Sequence, residues 1–156
     1  MHPDPAAQKA LANTVPLASI NPDDYDAAFY SGGLGPVFDL TDNEESICLL
    51  EAMERTMKPI AAVCHGVAAL RRARKADGTP LIEGRAVSGF SNSEELAVNG
   101  TSLVPWFIED ELRRLGGRYS RAADWNPHVV VDGNLITGQN PASSAETAQR
   151  VLNALK

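Results

Sequence analysis

The chain has 156 residues, one domain's worth, and can bury roughly 70% of its unfolded surface without disulfide or metal staples. Its 44% hydrophobic and 22% charged content excludes a disordered or fibrous class. Fourteen basic against twenty acidic residues, net −6, argue against a polyanion-binding surface, so no nucleic-acid partner is expected.

Two distant cysteines, Cys48 and Cys64, form no CxxC pair. They exclude a disulfide framework and a zinc–thiolate site and fit a reducing compartment. No apolar run approaches about 18 residues, and residues 1–5 lack the pattern of a signal peptide. No membrane partner and a cytoplasmic location are therefore expected.

Residues 1–24 read as a polar extension and 25–156 as a single domain. Asp26–Tyr30 is a short apolar run stopped by Ser31-Gly-Gly-Leu-Gly-Pro36, which predicts a buried strand feeding a glycine loop. Thr41 with Glu44 predicts a capping box, followed by a helix with Ile47, Leu50, Met53 and Met57 on one stripe, ending before Pro59. Cys48 in that helix reads as packing. Pro59–Val63 predicts a second buried strand, and Val67–Lys75 a helix closed by Asp77-Gly78. The basic cluster Arg71, Arg72, Arg74 and Lys75 reads as a solvated helix end. Arg85–Phe90 predicts a third strand and residues 103–115 a helix closed by Gly116-Gly117. His128–Val131 and Leu135–Thr137, joined through Asp132-Gly133, predict a hairpin. Ala142–Leu155 predicts a final helix. Strands alternating with helices indicate an α/β sandwich with a mainly parallel sheet.

The junction at Cys64 carries the chemistry. A buried strand runs straight into a helix, with Ala62 two residues before the cysteine and Gly66 two after it. So tight a strand–helix turn admits only small flanking residues and forces the nucleophile out at its apex. Unpaired N–H groups at the helix start favour a thiolate there and can hold an oxyanion. The opposing interpretation is a small buried hydrophobe, the role of most unpaired cysteines. His65 beside it and Gly32-Gly33 one strand earlier favour a site. Loops at the carboxyl ends of adjacent strands converge on one crevice, where the Gly33 N–H can face developing negative charge. A phosphate cradle is disfavoured, because the glycine loop lacks a lysine and Pro36 removes a donor. Gln139 and Asn140, which follow a strand through Gly138, are expected either to line the crevice or to form an ordinary turn. His128 reads as a strand-end structural histidine, and Trp106 and Trp125 fit core or interface equally. With only His2, His65 and His128 available, neither a metal site nor a cofactor is expected.

Three segments together carry a resemblance: Asp24–Gly33 with Gly35-Pro36, Ala61–Gly66, and Asp124–Pro141. They resemble the ThiJ/PfpI superfamily of class I glutamine amidotransferase-like proteins. Within it, they look like the branch of heat-shock-type chaperones and glutathione-independent glyoxalases (glyoxalase III). The resemblance runs from about residue 13 to the C-terminus. It implies a flavodoxin-like three-layer α/β/α sandwich, Cys64 as nucleophile, His65 as its partner, and an acid shortly after Phe90, which matches Glu95. A carboxylate is also what a histidine base needs to fix its tautomer. The alternative for Glu94 and Glu95 is acidic decoration of a helix start. Leu34 stands where the branch usually carries a histidine. The family also implies an earlier strand and helix delivering a glutamate to the cysteine. Residues 1–24 hold no glutamate, so the fold is expected to be short at its N-terminus and the thiol less reactive.

The resemblance implies a lyase or hydrolase acting on small reactive carbonyls, either a methylglyoxal-to-lactate glyoxalase (a D-lactate dehydratase-type lyase) or a deglycase. In such an enzyme Gly32, Gly33 and Gly66 would shape the site around Cys64, His65 and Glu95. A cysteine peptidase or amidase and a catalytically inert stress or holdase-type protein are the competing expectations. An uncovered sheet edge would suit a homodimer.

Overall fold

In the computed structural model, which describes residues 4–156, the first helix, α1 (Pro5–Ala12), is capped by Asp4 and buries none of its residues. His2 lies outside the described residues. Two 3₁₀ turns, Leu17–Ser19 and Pro22–Asp24, lead into β1 (Ala28–Tyr30). Then follow α2 (Gly35–Asp39), α3 (Glu44–Arg55), β2 (Ile60–Val63) and a 3₁₀ helix at Cys64–Arg71. The second half holds β3 (Ala86–Val87), α4 (Asn92–Ala97), α5 (Ile108–Arg114), β4 (Arg118–Tyr119), β5 (Val129–Asp132), β6 (Leu135–Gly138) and α6 (Ser144–Ala154).

The main sheet has the order β1-β2-β6-β5. β1 and β6 both lie parallel to β2, and β5 runs antiparallel to β6. Strand β2 is central and buried along its whole length, which is why Ile60-Ala-Ala-Val63 reads as a flat apolar run rather than an alternating one. On one face Leu50, Met53, Val67, Leu70, Ile82 and Leu112 form the larger core. On the other, Val151 of α6 packs over Ala61 and Ile136. This is the expected three-layer sandwich.

Local chemistry sets the element ends. Helix α3 starts at Asn43, whose Oδ1 accepts the Ser46 N–H at 2.8 Å, rather than at the expected Thr41. The Thr41 hydroxyl is instead buried and donates to the Ala68 carbonyl at 2.9 Å, tying the loop before α3 to the 3₁₀ helix. Ser46, Leu50 and Met53 form the buried stripe of α3, and Met57 at φ +55° ends it ahead of Pro59. Cys48 lies on the exposed side of this helix, so its expected packing role is corrected: the core-facing stripe passes through Leu50, not through its neighbour two residues back.

The helix expected over Val67–Lys75 is the 3₁₀ segment Cys64–Arg71. It stops early because the chain turns into a bridge between Arg74 and Pro80 around Asp77-Gly78. Residues 103–115 are helical only from Ile108, after Pro105 and an extended Phe107. The third strand does not join the main sheet: β3 pairs with β4 alone. The Asp132 carboxylate takes the Ala86 N–H at 2.7 Å and the Thr137 hydroxyl takes the Ser88 N–H at 2.9 Å. Side chains of β5 and β6 thus stand in for the missing ladder. The hairpin forms as expected, with Gly133 at φ +61° in its two-residue turn.

Candidate active site

Cys64 sits where β2 gives way to the 3₁₀ helix, at φ +59°. A non-glycine residue in this left-handed region is strained, and such strain gathers where the surrounding structure forces one side chain into a fixed direction. The neighbours leave it no slack. A Cβ on Gly66 would fall 2.6 Å from the Tyr30 carbonyl oxygen, and one on Gly32 2.9 Å from the Cys64 Cβ. Both glycines are therefore required by close approach; for Gly66 this is what its place two residues after Cys64 predicts. Gly33 adopts φ +100°, a conformation only glycine takes readily.

Three side chains stand in line. Cys64 Sγ lies 3.5 Å from His65 Nδ1, and His65 Nε2 lies 2.6 Å from Glu95 Oε2. With Nε2–H donated to the Glu95 carboxylate, Nδ1 carries the lone pair and can accept the thiol proton. The structure thus brings together the cysteine, histidine and acid expected from the sequence, with Glu95 rather than Glu94 on the imidazole. Glu95 is the fourth residue of α4, directly after Glu94 of the capping box with Ser91, and Gly100 makes room for its other oxygen, since a Cβ there would overlap Oε1. Gly100 carries no motif, and only this contact reveals its part.

The backbone N–H groups of Gly33 and His65 both point at the Cys64 sulfur. The thiol is nevertheless not favoured as a thiolate. Burial pushes it up to about 11, outweighing the two amides, and the nearby Glu94 and Glu95 carboxylates push in the same direction. Burial thus outweighs the thiolate preference of a helix start: Cys64 and His65 are each only 5% exposed, and the desolvation that comes with such burial exceeds the effect of the two donors.

For Gln139 and Asn140, expected either to line the crevice or to form a turn, the structure has Asn140 capping the 3₁₀ turn Pro141–Ser143. Both are fully buried, because the segment before β5 folds over them. Gln139 Oε1 accepts the Ala122 N–H at 2.8 Å. Asn140 Nδ2 donates to Glu94 Oε1 and to the Asn126 carbonyl, each at 2.8 Å. Trp125, which fitted core or interface equally from sequence, reaches the site's aromatic wall. Its ring stands edge-on to Phe90 at 5.9 Å, and Phe90 packs against the His65 ring at 4.4 Å. His128, half-buried, meets Ser120 Oγ at 3.0 Å. Among the described residues no group of three or more His, Cys, Asp and Glu is placed to hold a metal ion, and no helix is long and apolar enough to cross a membrane.

The chain is similar to the glutathione-independent glyoxalase HSP31 of Saccharomyces cerevisiae, with 33% identity over 154 residues, 95% of this chain and 65% of the relative. It is similar to the glutamine amidotransferase-like class 1 domain-containing protein 1 of Bos taurus, at 33% identity over 92% of this chain and 66% of the relative. The chain thus spans about two thirds of the length of these curated relatives. Among solved structures, the rapid encystment protein of 24 kDa from Francisella tularensis matches with a TM-score of 0.92 and 34% identity, over 98% of this chain and 68% of that one. Glyoxalase III from Candida albicans matches with a TM-score of 0.83 and 28% identity, over 88% and 60%. The sequence model of the DJ-1/PfpI family covers residues 8–154, nearly the whole chain and every residue of the Cys64–His65–Glu95 line. The elbow, the fold and the match agree, and the chain belongs to the DJ-1/PfpI family.

Proposed function

We propose that this domain carries a cysteine-dependent, glutathione-independent glyoxalase activity that converts small dicarbonyls such as methylglyoxal to hydroxy acids. One observation carries the reading. The Cys64 sulfur is met on one side by an imidazole nitrogen at 3.5 Å, backed by a carboxylate at 2.6 Å, and by the amides of Gly33 and His65. The names of the yeast and Candida relatives support it.

The resting group is a thiol, so deprotonation belongs to the attack itself. His65 Nδ1 takes the S–H proton as Sγ bonds to the aldehyde carbon, and the carbonyl electrons move onto oxygen, giving a hemithioacetal. The Gly33 and His65 N–H groups, already aimed at the sulfur, lie beside that oxyanion. His65, its first proton passed to the oxyanion, takes the proton from the former aldehyde carbon to give an enediol and returns it to the adjacent carbon; the hydroxyl proton moves to the neighbouring oxygen, and the product is a thioester of the hydroxy acid. Water cleaves the thioester, restoring the thiol and releasing lactate; the oxidation of one carbon balances the reduction of its neighbour. The test is lactate production from methylglyoxal by the wild type and Cys64→Ala. Equal rates would sink the proposal.

One observation favours a second reading, an inert stress-type protein of the same fold: the Cys64 thiol is buried and held up at about 11. A family amidase using the same line of residues is the remaining alternative, and comparing turnover of small peptides with that of dicarbonyls separates it. Two cysteines without a disulfide, Cys48 exposed and Cys64 buried, support a reducing, cytoplasmic location. The outer side of β1, where Phe29 is 42% exposed beside an apolar groove of about 340 Å³, supports a homodimer. A monomer in light scattering would remove that part of the proposal.

A further inference from the structure

The two adjacent glutamates of α4 are both buried but face different partners. Glu95 holds the imidazole. Glu94, with no exposed surface, has every acceptor position used inside the chain. Its Oε1 accepts the Trp125 N–H and an Asn140 Nδ2–H, each at 2.8 Å. Its Oε2 accepts the Ser91 N–H at 3.1 Å and the Ser91 hydroxyl at 2.8 Å. The Ser91 bonds are those of a helix capping box. The bonds to Trp125 and Asn140 serve no cap: they reach across to the loop before β5.

The positions of these donors matter. Ser91 directly follows Phe90, so one carboxylate grips the backbone next to Phe90 and the backbone of Trp125 at the same time. It thereby sets the separation of the two rings, which meet edge-on at 5.9 Å with 63° between their planes. Phe90 in turn packs on the His65 ring at 4.4 Å, with 38° between planes. Trp125 is held at φ +65°, a left-handed conformation that an indole-bearing residue keeps only under constraint. The clamp is doubled, because Asn140 Nδ2 also bonds the Asn126 carbonyl at 2.8 Å. Hydrogen bonds to a buried carboxylate are among the stronger ones, and a network of them fixes one arrangement.

We propose that Glu94 is a positioning residue of the Cys64 site: it clamps the Trp125 loop so that Trp125 backs Phe90 and Phe90 holds the His65 ring between Cys64 and Glu95. With all four acceptances taken, Glu94 has no free position from which to shuttle a proton. The inference rests on the reading of Cys64 and His65 as a reacting pair, but its main tests need no substrate.

The experiment uses a Trp106→Phe, Cys48→Ser background, in which Trp125 is the sole indole and Cys64 the sole thiol. The fluorescence anisotropy of Trp125 and the iodoacetamide alkylation rate of Cys64 are measured for Glu94→Gln, Asn140→Ala and Ser91→Ala. Glu94→Gln turns an amide donor toward groups that are themselves donors. It is expected to lower the anisotropy of Trp125, which is already 46% exposed, and to speed alkylation about tenfold, because a loosened loop wets the Cys64 thiol and a carboxylate that pushes it up is gone. Asn140→Ala, which keeps the carboxylate and the cap, is expected to shift both readouts in the same direction. Ser91→Ala weakens the helix cap and lowers the melting temperature while both readouts stay within about twofold of the background. If Glu94→Gln and Asn140→Ala behave like Ser91→Ala, Glu94 is only a cap and the proposal fails. Should Glu94→Gln not fold, Asn140→Ala alone decides. Absence of methylglyoxal turnover in the wild type would instead refute the proposed activity and leave this clamp to be judged by anisotropy and alkylation.

Discussion

The protonation of Cys64 offers the sharpest test of how this site works. The ordinary thiol value is 9.0, and burial in this chain raises it to about 11. Two units correspond to about 3 kcal/mol and to roughly a hundredfold less thiolate at neutral pH, or about one thiol in ten thousand at pH 7. In a Cys48→Ser background, which removes the exposed competing thiol, the iodoacetamide alkylation rate of Cys64 should rise about tenfold per pH unit from 7 to 10 and level off near 11. The same shift acts on stability. A thiol whose folded value is raised binds its proton more tightly in the native state. Its contribution is therefore fully present below about pH 9 and is lost as pH rises from about 9 to 11. Relative to a Cys64→Ser chain, the parent should lose about 3 kcal/mol of unfolding free energy across that window. Alkylation that already levels off below pH 9, or parallel stability curves for the two chains, would refute the argument. The Gly33 and His65 amides would then outweigh burial.

Three further outcomes follow from named contacts. Gly100→Ala places a methyl on Glu95 Oε1, so the 2.6 Å bond to His65 should break and any Cys64-dependent turnover fall by about tenfold or more. Normal turnover with a well-folded variant would contradict it. Glu111 is held down to about 2, first by its hydrogen bonds with Arg114, against the opposing effect of burial, and then by Arg71. The stability it adds is present above about pH 4.5 and lost as pH falls toward 2. Because Arg114 is 62% exposed, the pair is worth only about 1–2 kcal/mol after screening, and acid unfolding of Glu111→Gln against wild type measures it. Leu50→Ala, at a position with no exposure in the main core, should cost about 2–5 kcal/mol in urea unfolding without changing the pH profile of Cys64 alkylation.

The sequence by itself determined the features that depend on neighbours along the chain. The flat apolar run of β2, the small residues at positions 62 and 66, and the glycine pair at 32 and 33 are legible along the chain, although the contacts that require Gly66 and Gly32 are made across the fold, with the Tyr30 carbonyl and with Cys64. Together they single out Cys64 and His65. The hairpin at Gly133 and the final helix are legible for the same reason. Glu95 was reached through family resemblance, and its 2.6 Å contact with His65 spans thirty residues of chain that no local pattern encodes. Only the tertiary structure decided the rest. Cys48 faces outward because the stripe of α3 was set by Leu50 and Met53 meeting the sheet. Gln139 and Asn140 are sealed in because the Trp125 loop crosses over them. Strand β3 pairs only with β4, while the Asp132 side chain takes the Ala86 N–H and the Thr137 side chain takes the N–H of Ser88 just beyond the strand. The thiol itself gives the clearest division. Sequence placed Cys64 at a helix start, where amides favour a thiolate, but the packing around it decided how much water it loses, and that loss outweighs the amides.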